Sequence, residues 1–516
     1  MNKSRLSIPL YAILIPLLPA VQIYSSNIDR LTLTHGLLSA AAMLALYLVP
    51  LFVLRLIFRR SDRTDLLWAA LFSLVFLPMC FLPVDVPSFR IWWTAGWIVA
   101  MLVIAFWRES RRFIPVFLTT MPALLIAPLL YADINSPVWR QRPVLREIAA
   151  RAFDDVPKPQ SEAAEKPDIY YLIFDRYARA DQLASIYDYD NSAFLAALRQ
   201  RGFYVADNSY SNYQRTTHSI ISSLNFDYLD RLDTEATANA EDWVPLYAMM
   251  GDFRIGRFLK TMGYAIHFSG SWWEPTRRIP IAEVHHNFYE VPEMLRVIYE
   301  YSLLVDISRL AGLRQGDPLW WQCQRSRLMF EELGKADTGD RPMFYFAHFL
   351  IPHPPYVTHE TGRCMEIAEA LSRSRKQNYT GQMTYANGQI LAAVDRILAR
   401  PGPRPIIVLQ ADEGPWPEQF AGNEIIALGR DAGLVDWFQA MPAELREKTA
   451  ILNALYMPKA PARLFTSGMT PVNTFRHVLK HYFDVPIEPL SDRSLIFESS
   501  ENLYHFKDVT GELASP

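Results

Sequence analysis

Two adjacent carboxylates, Asp412 and Glu413, close the short apolar run in PIIVLQADEGPW, residues 405–416. Like charges this close repel unless something positive stands between them. A second apolar run, DIYYLIF (168–174), ends at Asp175. A third, PMFYFAHF (342–349), contains His348 and leads into LIPHPPY with His353. Acids and imidazoles are donors that a divalent cation takes. Such a cation needs a group to activate, and NSYSNYQRTTHSIISSLNFDYL (208–229) supplies hydroxyls. Ile220, Ile221 and Leu224 have helical spacing, which puts Thr216 or Thr217 at the start of a helix. A hydroxyl there meets the partial positive charge of the helix N-terminus, which also attracts phosphate or sulfate. Metal coordination lowers its pKa and makes it a nucleophile. Quieter roles stand beside these. An aspartate after a strand caps or turns the chain, a threonine caps a helix, and His348 reads as a packed sheet residue rather than a ligand.

These residues cooperate only if one architecture gathers the strand ends. From Pro167 onward, apolar runs at 168–174, 264–270, 342–349 and 405–411 are separated by helical patterns such as NSAFLAALRQRG and NGQILAAVDRILAR. Continuous apolar strands between helices predict an α/β domain with a mostly parallel sheet covered on both faces. In such sheets ligands bind beyond the carboxyl ends of the strands. The run at 264–270 leads into SWWEPTRR, making Trp272, Trp273 and Glu274 candidate substrate contacts.

The first third of the 516-residue chain reads differently. Half of the chain is hydrophobic, and five apolar stretches near the N-terminus, about 7–24, 35–57, 65–83, 91–107 and 113–131, approach the roughly 20 residues a bilayer crossing needs. Lys3 and Arg5 precede the first. Arg55, Arg59, Arg60 and Arg63 lie between the second and third, and Arg108, Arg111 and Arg112 between the fourth and fifth. The alternate loops carry only Arg30 and Arg90, so the positive-inside rule puts the N-terminus in the cytoplasm and everything after Tyr131 outside. The spans are almost free of ionisable residues, with Asp85 at an edge, which favours an anchor or lipid-substrate platform over a transporter core. Residues 132–166 are polar and proline-bearing, with one amphipathic helical piece, and read as a juxtamembrane linker before a domain at 167–516. An exterior location permits a disulfide between Cys323 and Cys364. The net charge of −3, with acids and bases mixed, leaves no basic surface for nucleic acid.

In this order, PDIYYLIFDRYARAD, NSYSNYQRTTHSIISSLN, HFLIPHPPY and VLQADEGP resemble the alkaline phosphatase superfamily. Within it they are most similar to its membrane-bound sulfatase-like hydrolases and transferases. The span-rich anchor is similar to the architecture of lipoteichoic acid synthases and phosphoethanolamine transferases. The resemblance covers about 167–500, including ILNALYMP and TPVNTFRHVLKHYF. It implies that Asp175 and Asp412 bind a metal, that Thr216 is the nucleophile with Thr217 the fallback, and that His353 contacts the transferred group. None of the three cysteines lies in the Cys-x-Pro-x-Arg motif of sulfatases proper. Most relatives have Asp-His-Gly where this chain has Asp412-Glu413-Gly414. The resulting oxygen set of Asp175, Thr216, Asp412 and Glu413 favours one Mn2+, Mg2+ or Ca2+, with Zn2+ the alternative. The expected activity is transfer or hydrolysis of a phosphodiester or sulfate ester through a threonine-bound intermediate. The expected setting is the exterior (periplasmic) face of the inner or plasma membrane, and the expected substrate an envelope lipid or lipid-linked glycan. The competing expectation is an inactive, membrane-anchored relative that binds glycan or serves as a scaffold.

Overall fold

The computed structural model describes residues 8–58, 62–80, 87–107, 110–161, 165–335, 341–421 and 435–514. Lys3, Arg5, Arg59, Arg60, Arg108 and Asp85, used above to read the spans, lie outside the described residues. The chain divides into two compact units, Met1–Arg140 with Val291–Pro318, and Gln141–Glu290 with Leu319–Pro516.

The first unit is helical. Helices α1 (Tyr11–Ser25), α2 (Leu33–Ile57), α3 (Asp62–Phe76), α4 (Pro87–Phe106) and α5 (Ser110–Asn135) fall on the five apolar stretches. Leu33–Ile57 and Arg112–Asn135 are long and apolar enough to cross a membrane, and Tyr11–Ser25 and Arg90–Phe106 are shorter apolar helices. Tyr11, Ile15, Leu18, Tyr47, Leu66 and Phe72 form part of the core between them. Arg55 of α2 pairs with Asp65 of α3 through two hydrogen bonds of 3.0 and 2.7 Å. The segment Val291–Pro318, which the sequence assigns to the exterior domain, groups with these helices instead, because Met294 and Ile298 are buried in their core.

The second unit is built on strands β1 (Ile169–Phe174), β2 (Tyr204–Val205), β3 (Ala265–Ser269), β4 (Val284–His285), β5 (Met343–Phe349), β6 (Ile406–Gln410) and β7 (Asn453–Tyr456). They form one sheet in the order β2-β7-β6-β1-β5-β3-β4. Strands β6, β1, β5, β3 and β4 run parallel, and β7 is antiparallel to β6 and to β2. The mostly parallel sheet expected from the apolar runs is therefore present. Strands β8 (Leu495–Phe497) and β9 (Phe506–Asp508) make a separate hairpin.

Both sheet faces are covered, which is why the strands are apolar throughout. Ile169, Tyr171 and Ile173 of β1 pack on one face with Ile220, Ile221 and Leu224, as expected from their helical spacing, and with Phe475 and Leu479. Tyr170, Leu172 and Phe174 pack on the other with Tyr379, Met383 and Ile390 of the helix Arg375–Leu398. The helix Val138–Ala152 lies in the expected linker. Its Arg142 makes a buried two-point ion pair with Asp242, at 2.7 and 2.9 Å. Cys323 and Cys364 form a disulfide, with 5.6 Å between their Cα atoms.

Candidate metal centre

The three central strands β6, β1 and β5 lie side by side, and their register decides which side chains meet. Ile173 is level with His348 on one side and with Gln410 on the other. Side chains alternate between faces along a strand, so a residue two positions further points the same way. Asp175 and Asp412 stand two positions beyond Ile173 and Gln410, on the face and at the sheet edge that His348 occupies. The strand continues into Asp175, whose backbone N–H donates to the Phe349 carbonyl at 2.9 Å.

Asp175, His348 and Asp412 each offer a ligand atom, and these atoms lie within 4.8 Å of one another. Among the described residues this is the one such group of three. His348 Nε2 is 3.5 Å from Asp175 Oδ2. All three side chains are buried, and Asp175 Oδ1, His348 Nε2 and both carboxylate oxygens of Asp412 have no hydrogen-bond partner of normal geometry. Buried polar atoms are almost always satisfied, and unsatisfied carboxylate oxygens are costly. Two carboxylates and an imidazole with open lone pairs fit a divalent ion, and the nitrogen donor makes the set less purely oxygen than the sequence suggested.

The charges point the same way. Burial drives the Asp412 carboxyl well above the usual range, and the neighbouring charges of Asp175 and Glu413 add to it, while the nearby Thr216 hydroxyl opposes. Burial also acts to raise Asp175, but His353, His348 and Arg176 outweigh it and hold that carboxyl down at about 2. Without a cation the pair carries one negative charge comfortably and resists a second.

Thr216 opens the helix Thr216–Asn225 and is half-buried, next to Asp412. Thr217 is buried one position further along. The first amides of this helix have no partners within it and present positive partial charge where an anion would approach Thr216. His353 is close enough to Asp175 to stabilise its negative charge. Its ring Nδ1 contacts the Pro354 carbonyl, and its own carbonyl accepts from Gln382 Nε2 at 3.1 Å.

Glu413 is buried too, and its Oε2 has no hydrogen-bond partner of normal geometry. Its Oε1 accepts from Lys448 Nζ at 2.5 Å and stands 3.3 Å from Arg176 Nε, so its charge is answered by two cations of the chain itself. Lys448 also donates to the Gly414 carbonyl at 3.1 Å and lies over the buried Trp416 ring, 4.6 Å from its centroid. Burial pushes the Lys448 ammonium down to about 8 although Glu413 favours its charge. Arg215 and Arg176 flank the same ring, at 4.9 and 5.7 Å. Gly414 is required here, because a Cβ would sit 2.2 Å from the Glu447 carbonyl oxygen.

The loop after β3 supplies what the sequence did not reveal. Thr276 Oγ1 lies 2.8 Å from His348 Nδ1 and 2.7 Å from Ser271 Oγ. Were Nε2 given to a metal ion, Nδ1 would carry the proton and donate it to Thr276, an outer partner of the kind that fixes the tautomer of a ligating histidine. Gly270 lets this loop close, since a Cβ there would meet the Arg277 and Thr276 carbonyl oxygens at 2.4 and 2.6 Å. Trp273 sits edge-on to His348, with ring centroids 6.2 Å apart. Trp272 is buried, and Glu274 accepts from the Arg277 guanidinium through both of its oxygens.

No protein-family model and no curated protein matches this chain. Solved structures similar to it include the zinc complex of the C-terminal periplasmic domain of EptC from Escherichia coli. That match has 10% identity over 69% of this chain and 96% of the other, with a TM-score of 0.42. The integral membrane lipooligosaccharide phosphoethanolamine transferase A from Neisseria meningitidis aligns with 93% of this chain and 94% of its own, at 13% identity and a TM-score of 0.41. A candidate sulfatase from Bacteroides fragilis aligns with 63% of this chain and 76% of its own, at 13% identity and a TM-score of 0.36.

Proposed function

We propose that this chain is a membrane-anchored, metal-dependent hydrolase or transferase of the alkaline phosphatase type, acting on a phosphodiester or sulfate ester of an envelope lipid or glycan. The observation that carries this reading is the convergence of Asp175, His348 and Asp412 at the carboxyl ends of three adjacent parallel strands, with unpartnered buried atoms and the Thr216 hydroxyl alongside. In this reading Asp175, His348 and Asp412 hold the ion with Thr216 beside them, and Glu413 serves as counter-charge to Lys448 and Arg176. When bound, a divalent ion supplies Lewis acidity, drawing charge from the ester oxygens and lowering the pKa of the Thr216 hydroxyl.

The Thr216 hydroxyl gives its proton to solvent, and Oγ then attacks the phosphorus or sulfur. A bond to Oγ forms as the ester bond breaks, and His353 gives the departing alkoxide its proton. In the second step water or an acceptor hydroxyl gives its proton back to His353 and takes the group from Thr216. The helix N-terminus at Thr216 orients the anionic group, and Trp273 provides an apolar wall beside His348.

The five helices α1–α5 are read as five crossings with a cytoplasmic N-terminus and an exterior catalytic unit. Substrates would then come from the bilayer surface. Incubation of the full chain with vesicles of envelope phospholipid, followed by peptide mass spectrometry, tests the chemistry. A phosphoryl-headgroup adduct on the peptide carrying Thr216, absent from Thr216→Ala, is the expected result. An unmodified peptide despite bound divalent ion, together with undiminished ester hydrolysis by Thr216→Ala, would contradict it.

A further inference from the structure

The segment Val291–Pro318 interrupts the α/β unit in sequence yet belongs to the helical unit. Its two helices, Glu293–Glu300 and Leu303–Leu310, contact α1, α2 and α3, and Asp306 pairs with Arg90 at the start of α4. Met294, Ile298 and Val305 are buried on the inner side, and Leu304 packs against the same core. The outer side is also apolar. Ile307 is 54% exposed, Leu310 89% and Leu313 57%. Ile307 and Leu310 are three residues apart and share a helix face, and Leu313 follows the left-handed turn at Gly312. Arg309 pairs with Asp317 at 3.1 Å, putting polar groups next to the apolar ones.

An amphipathic helix with large aliphatic residues on one side and charged neighbours is built to lie in the plane of a bilayer interface. We propose that Ile307, Leu310 and Leu313 seat in the headgroup–acyl boundary of the leaflet at the Arg90 end of the helical unit, making 303–313 an interfacial foot. The occupant of this face is lipid because the foot is continuous with helices α1–α3, and Arg90, its ion-pair partner, opens a span in the loop that the charge pattern puts outside. The proposal rests on the reading of α1–α5 as membrane crossings.

Nitroxide labels on the full chain test it, in vesicles of phosphatidylethanolamine and phosphatidylglycerol. The labels are placed at Leu310→Cys and Leu313→Cys in a Cys80→Ala background, with Leu46→Cys on α2 and Gln315→Cys as references. Collision with lipid-soluble oxygen and with a water-soluble nickel chelate is measured by electron paramagnetic resonance. The expected oxygen-to-nickel ratio at 310 and 313 is severalfold above that at 315 and approaches that at 46. A ratio equal to that at 315 overturns the proposal. So does shielding from both agents, which would mean protein contact, with a second copy indicated if dilution in lipid restores access. If 46 itself reads as water-exposed, the membrane reading fails and takes the proposal with it. If 46 reads as lipid and 310 does not, the foot alone is refuted.

Discussion

Thr276 presents its hydroxyl oxygen 2.8 Å from Nδ1 of His348, and the opposite ring nitrogen of that histidine lies 3.5 Å from Asp175. One hydroxyl from the loop after β3 therefore orients an imidazole of β5 toward the aspartates that follow β1 and β6. Outer partners of ligating histidines change metal affinity about 10–100-fold when removed. Thr276→Val is expected to weaken divalent-ion affinity by a factor in that range, measured by competition with a fluorescent chelator. Thr276→Ser, which keeps the hydroxyl, is expected to restore it. Equal affinity in Thr276→Val and the parent chain would remove this role.

Glu413 and Lys448 form a buried pair, and removing one partner strands the other's charge. Loss of one member of such a pair costs about 3–5 kcal/mol. Glu413→Gln is expected to lower the melting temperature strongly while leaving divalent-ion content unchanged, and Glu413→Gln with Lys448→Met is expected to recover much of the loss. If Glu413→Gln instead loses its ion as Asp412→Ala does, Glu413 returns to the ligand set.

Asp412 and Asp175 shift in opposite directions, so their effects on stability separate with pH. Burial and the charges of Asp175 and Glu413 raise the folded-state value of Asp412, whose stabilising contribution is full below about pH 4 and declines as pH rises toward that value. Asp175, held at about 2, contributes fully above about pH 4 and loses its contribution only as pH falls toward 2. Between pH 5 and 7 Asp175 no longer varies, so of the two only Asp412 loses stabilising contribution as pH rises. In chelator, the parent chain is expected to lose more stability over this range than Asp412→Asn, and divalent ion is expected to bind with release of protons. Parallel profiles for parent and variant would contradict the shift.

The Cys323–Cys364 bridge spans 41 residues. Closing a loop of that length removes chain entropy from the unfolded state worth about 4 kcal/mol. The double variant Cys323→Ser/Cys364→Ser is expected to melt at lower temperature by a corresponding amount, and reducing agent is expected to lower the melting temperature of the parent but not of the variant. Insensitivity of the parent to reductant would mean that the bridge is absent.

Asp175 and Asp412 were legible because each sits at the boundary where an apolar run meets polar sequence, and Thr216 because Ile220, Ile221 and Leu224 mark a helix whose start it occupies. His348 was concealed by its own strand. Every residue of β5 is buried, so alternation of polarity carries no sign of which side chains face the site. That sign appears only once the register with Ile173 is known. Thr276 lies 72 residues from His348 and Lys448 35 residues from Glu413. Nothing local in TRR or EKT announces such partners, because they are chosen by the order of strands in the sheet. The association of Val291–Pro318 with the helical unit was hidden for a similar reason. Met294 and Ile298 look like any amphipathic helix, and which core they enter is a property of the fold.

The central claim is that Asp175, His348 and Asp412 share one divalent ion. Metal content of the purified full chain by inductively coupled plasma mass spectrometry, after dialysis against Mn2+ or Zn2+, tests it most directly beside Asp175→Ala, His348→Ala and Asp412→Ala. The parent is predicted to retain a stoichiometric ion that each substitution removes. A folded parent without the ion, or an ion undiminished in all three variants, would contradict the account.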